Sequence, residues 1–330
     1  MKRIGIAGAT GVVGETLLKL LESGPHKVEE LRLFASERSA GTKLRFRDRE
    51  IAVRELDVKT CSGLDVVFSC LDADLASRVV PEIAKLCPVI DKSSHFRLKK
   101  EVPLVVPEVN PDALAGHKNI IANPNCTTIP LTVALGPLCR KFELESLSVA
   151  TYQSASGAGR SLLDRLHYET EFIALRRVPD TKGSPLRVQL ADNLVPQIDS
   201  FDKDGNTGEE NKLRHESAKI LGLVDLAVSV TCVRVPVSVG HSLAVTARFR
   251  QPVKPKDANH VLKDAPGVVL KTVSEYTTPA EARGKDPVFV SRVRSGALEN
   301  ELLLWVVTDN LLKGAALNAL QIAELLFSKK

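Results

Sequence analysis

Residues 8–14 read GATGVVG, and this stretch decides the fold. It follows a short apolar run, RIGIAG at 3–8. It opens VVGETLLKLLES at 12–23, where Val13, Leu17, Leu18, Leu20 and Leu21 recur at helical spacing. A strand, a glycine turn and a helix, in that order, are the setting in which a glycine motif reads as a dinucleotide site. Gly8 permits the tight turn, Gly11 lets the backbone approach a pyrophosphate, and Gly14 lets the helix lie close on the strand. Thr10, Val12 and Val13 complete the set of candidate cofactor contacts, because the free N–H groups of a helix start attract an anion. The spacing is GxxGxxG rather than the commoner GxGxxG.

Outward from the turn, the first 125 residues alternate strand and helix. ELRLFAS (30–36), LDVVFSCL (64–71), CPVIDKS (87–93) and NIIANPN (119–125) read as strands, and 74–86 as a helix. Such alternation means crossover units and a parallel sheet. The second strand runs into Ser36, Glu37, Arg38 and Ser39. An acid is expected there for NAD; Ser36, Arg38 and Ser39 can hold a 2′-phosphate and favour NADP.

The texture changes after residue 125. TIPLTVALGPLCRKF (128–142) reads as a helix with a proline in its first turn, and LESLSVATYQSAS (144–156) as a half-exposed strand. AVSVTCVRVPV (227–237) and HSLAVTARFR (241–250) are expected to pair antiparallel about a turn at 238–240. PVFVSRVRS (287–295) and ELLLWVVTD (301–309) form a second such pair. Residues 176–212 are polar and loop-heavy, and 310–330 reads as an amphipathic helix ending in lysines. The expected class is α/β: a Rossmann-type parallel sheet over 1–125, then an α+β domain with a mixed antiparallel sheet over 126–309. The helix at 310–328 should return to the first domain.

Composition sets outer limits. The 330 residues are 44% hydrophobic and 26% charged, ordinary for a globular protein. No apolar run approaches the roughly 20 residues a membrane span needs, and the basic N-terminus goes straight into the glycine turn, so no signal peptide and a cytoplasmic location are expected. A net charge of +5 is mild, and RFRDRE (45–50), the densest basic run, is interrupted by acids. A solvated face accounts for it, without nucleic acid. The cysteines are 61, 70, 87, 126, 139 and 232, with no CxxC pair and no zinc pattern, so free thiols and no metal are expected.

One cysteine stands apart. NPNCTTIP (123–130) sets Cys126 among small, polar, turn-forming neighbours, just after a strand and just before a helix. A helix start stabilises a thiolate, and the carboxyl edge of a parallel sheet is where open α/β folds bind ligands. A nucleophilic thiol needs a proton partner. His241, in RVPVSVGHS (234–242), is the candidate, placed by this reading at a hairpin tip; most of the other histidines sit in helices or loops among charged residues.

GATGVVG (8–14), VPEVN (106–110), NPNCTT (123–128), YQSASGAG (152–159), RVPVSVGHS (234–242) and DNLLKGAA (309–316) together resemble the aspartate-semialdehyde dehydrogenase family over nearly the whole chain. The resemblance implies that Cys126 is the acyl-forming nucleophile, His241 the general acid/base, and Gln153 the residue that orients the substrate or thioester. It implies Arg234 for the substrate carboxylate, Arg97 and Lys212 for phosphate, and Glu209 for the substrate amino group, with Glu210 adjacent. Asn125 joins the substrate contacts, and Ser156, Gly157 and Asn310 the nicotinamide side. The implied reaction is NADPH-dependent reduction of L-aspartyl 4-phosphate to L-aspartate 4-semialdehyde, serving lysine (through diaminopimelate), threonine and methionine biosynthesis. The implied assembly is at least a homodimer, with dimer and tetramer both open. The rival functions are a reductase of N-acetyl-glutamyl phosphate and a non-catalytic NADP-binding relative.

Overall fold

The computed structural model of the protein describes residues 1–180 and 182–328. It divides into two compact units, Met1–Asn125 with the stretch from Ala315 onward, and Cys126–Gly314.

The first unit holds a seven-stranded sheet. Its strands are β1 (Arg3–Ala7), β2 (Glu30–Ala35), β3 (Lys43–Phe46), β4 (Arg49–Glu55), β5 (Val66–Ser69), β6 (Val89–Asp91) and β7 (Ile120–Ala122), in the order β3-β4-β2-β1-β5-β6-β7. All pairings are parallel except β3 with β4. β1 pairs with β2 on one side and β5 on the other, so the order reverses at β1, where such sheets bind ligands. Helix α1 (Val12–Ser23) buries Leu17, Leu18 and Leu21 against Ile4, Ile6 and Phe68 in one core, which also takes Leu320, Ile322 and Ala323 of the last helix. Helix α2 (Ala73–Ala84) starts with Asp72 accepting the Leu75 N–H.

Sequence reasoning missed the β3–β4 hairpin. RFRDRE is not simply a solvated face: Phe46 is buried, and Arg47 and Asp48 form the two-residue turn, Arg47 at φ 55°. Positive φ in such a turn is normally signalled by Asn or Gly, and neither is present.

The second unit begins beside helix α3 (Thr128–Phe142). Its other elements are β8 (Leu144–Gln153), α4 (Arg160–Ala174), α5 (Gly208–Leu221), β9 (Ala227–Arg234), β10 (His241–Phe249), α6 (Pro255–Lys263), β11 (Val268–Leu270), α7 (Pro279–Ala282), β12 (Val288–Ser295) and β13 (Glu301–Thr308). The six-stranded sheet runs β11-β12-β13-β10-β8-β9. Helices α3, α5 and α6 cover one face. The other carries the Tyr152–Trp305 ring pair at 5.6 Å, Tyr152 being 36% exposed.

This order corrects one expectation. β9 and β10 are not partners: β8 lies between them, parallel to β9 and antiparallel to β10. The connection 235–240 crosses the end of β8, where the Val235 N–H donates to the Gln153 carbonyl and the N–H groups of Ala155 and Ser156 donate to the carbonyls of Val237 and Ser238. His241 therefore opens an inner strand and has no exposed surface.

The last segment also differs from the expected single helix. Leu312–Ala316 is a π turn, in which the Gly314 N–H reaches back five residues to the Asp309 carbonyl, and helix α8 (Leu317–Ser328) follows. The terminal lysines, expected to complement that helix, lie outside the described residues.

Candidate active site

Cys126 lies two residues before α3, whose start has no side-chain cap, so the first N–H groups of the helix lack intrahelical acceptors. The Cys126 Sγ is 3.3 Å from Nε2 of His241. On its far side, Nδ1 of His241 accepts the Ser154 main-chain N–H at 3.1 Å, and the Ser154 hydroxyl is also 3.1 Å away. Burial, then the nearby Arg234 charge, pushes the His241 pKa down to about 3; the Glu209 charge and the Gly240 main chain offset part of this. The imidazole is therefore neutral at physiological pH. Burial holds the other thiols protonated, Cys61 and Cys70 pushed up to about 11 and Cys87, Cys139 and Cys232 to about 12.

Around this pair the strand ends deliver polar groups. Gln153, the last residue of β8, is 1% exposed. Thr151 Oγ1 donates to its Oε1 at 2.9 Å, which turns the amide so that Nε2 donates to Glu209 Oε1 at 3.0 Å. Lys212 Nζ bonds Glu209 Oε2 at 3.3 Å and Asp199 Oδ2 at 2.8 Å. Burial alone would lower the Lys212 pKa, yet the two carboxylates raise it. Glu210 is occupied elsewhere: it forms the capping box of α5 with Thr207 and accepts the Cys232 N–H at 3.0 Å. Glu209, not Glu210, thus faces Gln153.

Arg234 ends β9 and is 4% exposed. Its Nη1 donates to the Ser154 carbonyl at 2.7 Å, while Nε is buried without a hydrogen-bond partner among the described residues. A buried guanidinium with an unused N–H is built for an anion. Gly157 lies over the cluster: a Cβ there would sit 3.0 Å from both Arg234 Nη1 and His241 Nε2.

Ser156 and Asn310 are buried. Asn310 Oδ1 accepts the Gly240 N–H at 2.8 Å and the Ser154 and Ser156 hydroxyls at 3.1 and 3.2 Å, so both side chains brace the strand end that carries His241. The π turn brings Gly314 against Cys126, whose carbonyl oxygen would be 3.3 Å from a Cβ at 314. The structure thus collects Cys126, Gln153, Ser156, Gly157, Glu209, Lys212, Arg234, His241 and Asn310 in the second unit. Sequence reasoning missed Thr151, Ser154 and Asp199. Ser154 and Thr151 stand in or beside YQSASGAG and could have been found there, but Asp199 sits in an unpatterned loop with φ 76°.

The remaining candidates belong to the first unit. Gly8 has φ 84°, and its N–H and that of Ala9 both donate to the Phe34 carbonyl. α1 starts on Gly11 with no side-chain cap, leaving the N–H groups of its first turn to an outside acceptor. A Cβ on Gly14 would meet the Gly8 oxygen at 2.3 Å, whereas one on Gly11 meets only that oxygen, at 3.4 Å. The turn is thus tight where the helix meets the strand and open where a phosphate would approach, which fits a dinucleotide. Ser36 precedes a short 3₁₀ turn, Glu37–Ser39, just after β2; Ser36 and Arg38 are exposed and Ser39 is half-buried. Arg97 and Asn125 are both buried; Arg97 Nη2 donates to the Lys92 carbonyl at 2.5 Å. Among the described residues, no group of three His, Cys, Asp or Glu could hold a metal ion, and no helix is long and apolar enough to cross a membrane.

Comparison with known proteins bears on both units. A family model for the semialdehyde dehydrogenase NAD-binding domain matches residues 3–117, and one for the semialdehyde dehydrogenase dimerisation domain matches 135–313. The chain is 43% identical to the aspartate-semialdehyde dehydrogenase of Aquifex aeolicus over 98% of this chain and 97% of that protein. It is 44% identical to the Streptomyces akiyoshiensis enzyme, covering 98% of each. Among solved structures, aspartate semialdehyde dehydrogenase II of Vibrio cholerae, complexed with ASA, superposes with a TM-score of 0.95 at 40% identity, over 99% of this chain and 98% of that one. The Candida albicans enzyme with NADP gives a TM-score of 0.79 at 28% identity, over 100% of this chain and 99% of that one. Both domains, in their order and over their full length, have their counterparts in these proteins: the chain belongs to the aspartate-semialdehyde dehydrogenase family.

Proposed function

We propose that the protein reduces L-aspartyl 4-phosphate to L-aspartate 4-semialdehyde with NADPH, through a thioester on Cys126. The observation that carries this reading is the sulfur held 3.3 Å from Nε2 of a fully buried imidazole. An acyl phosphate is a poor hydride acceptor in water. Attack by the Cys126 thiolate forms a C–S bond and expels phosphate with the C–O electron pair, so one hard step becomes two easier ones. When bound, the nicotinamide supplies a hydride to the thioester carbon. As the thiohemiacetal forms, Nε2 of His241 gives its oxygen a proton, and it takes that proton back as C=O re-forms and the C–S pair returns to sulfur, releasing the aldehyde.

The polar groups fit this chemistry. Arg234 takes the α-carboxylate through its unused Nε–H, Glu209 the ammonium, and Gln153 the acyl group, which together fix the reacting carbon. Arg97 and Lys212 neutralise the phosphate, and Asn125 contacts the substrate. The first turn of α1 holds the pyrophosphate, with Ser36, Arg38 and Ser39 at the 2′-phosphate. Two copies pair through the open sheet face of the second unit, and the enzyme works in the cytoplasm.

The deciding assay offers L-aspartyl 4-phosphate and N-acetyl-L-glutamyl 5-phosphate side by side, each with NADPH and with NADH. Turnover of the first substrate with NADPH is expected. Turnover only of the acetylated one would replace this reading with the reductase of that substrate.

A further inference from the structure

We propose that Asp199 is a positioning residue for Lys212: its carboxylate draws the lysine outward from Glu209, so that Glu209 can exchange that cation for the ammonium of the substrate. This rests on the reading of Glu209 and Lys212 as substrate contacts.

The three groups form a chain from the interior to the surface. Glu209, its side chain 7% exposed, is innermost, and its Oε1 accepts from Gln153 at 3.0 Å. Lys212 Nζ lies 3.3 Å from Glu209 Oε2 but 2.8 Å from Oδ2 of Asp199, whose side chain is 45% exposed. The lysine thus makes its shorter bond to the better solvated carboxylate. Electrostatics alone would favour the inner one, because attraction between charges strengthens as water is excluded. The backbone reverses that order by fixing Asp199 in place. The N–H groups of Gly208 and Glu209, in the first turn of α5, donate to the carbonyls of Ser200 and Ile198, the residues on either side of Asp199. The Ser200 N–H donates to Asp199 Oδ1 at 2.9 Å, which leaves Oδ2 to the lysine. Asp199 has φ 76°, a region that Asp and Asn tolerate better than most residues. Gly208 lacks the Cβ that would stand 2.6 Å from Oδ2 and 2.8 Å from Cγ. The bond from Lys212 holds the Asp199 carboxyl below the usual carboxylate range, so this outer pair is charged at neutral pH.

An ammonium has three N–H donors, on a stem long enough to swing between partners. When the α-ammonium of the substrate reaches Glu209, Lys212 gives up its longer bond, keeps its shorter one, and turns the released N–H toward phosphate. Without the Asp199 charge the lysine closes on Glu209, and the incoming ammonium has to break a shorter and drier ion pair. Asp199 touches neither substrate nor cofactor in this scheme and acts only through Lys212. The exchange also ties phosphate binding to the α-ammonium, since a substrate without that group leaves the lysine on Glu209.

Asp199→Asn is the direct test, because it keeps the shape and the tolerance for positive φ while removing the charge. The reaction is followed in the oxidative direction, where L-aspartate 4-semialdehyde and inorganic phosphate are separate ligands. The KM for the semialdehyde should rise about fivefold, the upper end for a largely solvated ion pair, with kcat and the KM for phosphate unchanged. In a Lys212→Met background the same substitution should have no effect, as a residue acting through Lys212 requires. A rise of equal size in both backgrounds would reduce Asp199 to loop structure and overturn the proposal. A rise confined to the phosphate KM would overturn it too, since Asp199 would then aim the lysine at phosphate directly. So would a fall in the phosphate KM with the semialdehyde KM unmoved, which would make Asp199 a competitor of the anion. If the parent does not oxidise the semialdehyde at all, the proposed function fails and this proposal with it; an unmoved semialdehyde KM in a working enzyme overturns this proposal alone.

Discussion

The glycine turn of the first unit and the thiol cluster of the second are both built where a strand meets a helix start, yet they are made of different material. The turn is backbone: Gly8, Gly11 and Gly14 shape it, and the first N–H groups of α1 are its ligands. Seven consecutive residues contain it. The thiol cluster is side chains, Cys126, Gln153, Glu209, Arg234 and His241, drawn from four separate stretches that the fold of the second unit brings together. A backbone site is written locally; a side-chain site is written in topology.

The largest expected effect separates the two. Cys126→Ala should lower kcat by at least about 10⁴-fold, as loss of a covalent nucleophile does, while NADPH affinity by fluorescence titration stays as in the parent. Loss of cofactor binding along with turnover would mean that the two sites are not independent.

A pair of glycine substitutions sharpens the contrast. In Gly14→Ala the new methyl would lie 2.3 Å from the Gly8 oxygen and 2.8 Å from the Ala9 Cα, both backbone, which cannot rotate away. About 2–3 kcal/mol of stability should be lost, read by urea denaturation, together with cofactor affinity. In Gly157→Ala the methyl meets Arg234 Nη1 and the His241 ring at 3.0–3.1 Å, side chains pinned from behind by Ser154. Stability should hold while kcat/KM falls about 10²-fold, the effect of a small misplacement of reacting groups. Equal destabilisation in both variants would erase the distinction.

The same contrast explains what the sequence makes legible. Helix α1 and helix α3 are readable to the residue, because apolar spacing and a proline in the first turn are local signals. His241 is readable as a candidate but not in its setting. HSLAVTARFR looks like the partner of AVSVTCVRVPV, and only the crossing of β8 by residues 235–240 shows that it is an inner strand with a buried histidine at its head. Asp199, the closer of the two carboxylates on Lys212, is invisible beforehand, since it depends on Gly208 leaving room for it: a Cβ there would be 2.6 Å from its Oδ2.

Proton linkage probes the side-chain site again, at a smaller scale. Burial holds His241 neutral, with a folded pKa of about 3 against an ordinary value near 6.5. The unfolded chain therefore binds more protons between those values, and stability rises with pH there. The contribution is fully present above about pH 6.5 and is lost progressively as pH falls toward 3, by about 1.4 kcal/mol at one unit below 6.5. Urea midpoints of the parent and His241→Gln, compared from pH 7.5 to 5.5, measure it. The parent's excess sensitivity to acid should vanish in the variant, and an unchanged slope would place the imidazole in contact with solvent.

The smallest effect tests the edge of the backbone site. Arg38 lies in an exposed turn after β2, with Glu37 beside it. An exposed cation opposite a phosphate dianion works through water and is screened by salt, so its contribution is about 0.5–1 kcal/mol. Arg38→Ala should raise the KM for NADPH about three- to fivefold, less at high ionic strength, and leave the KM for NADH alone. The pyrophosphate contacts made by N–H groups of α1 carry no such preference, because both cofactors share the pyrophosphate. An equal rise for NADPH and NADH would therefore move Arg38 from the 2′-phosphate to that shared part of the ligand.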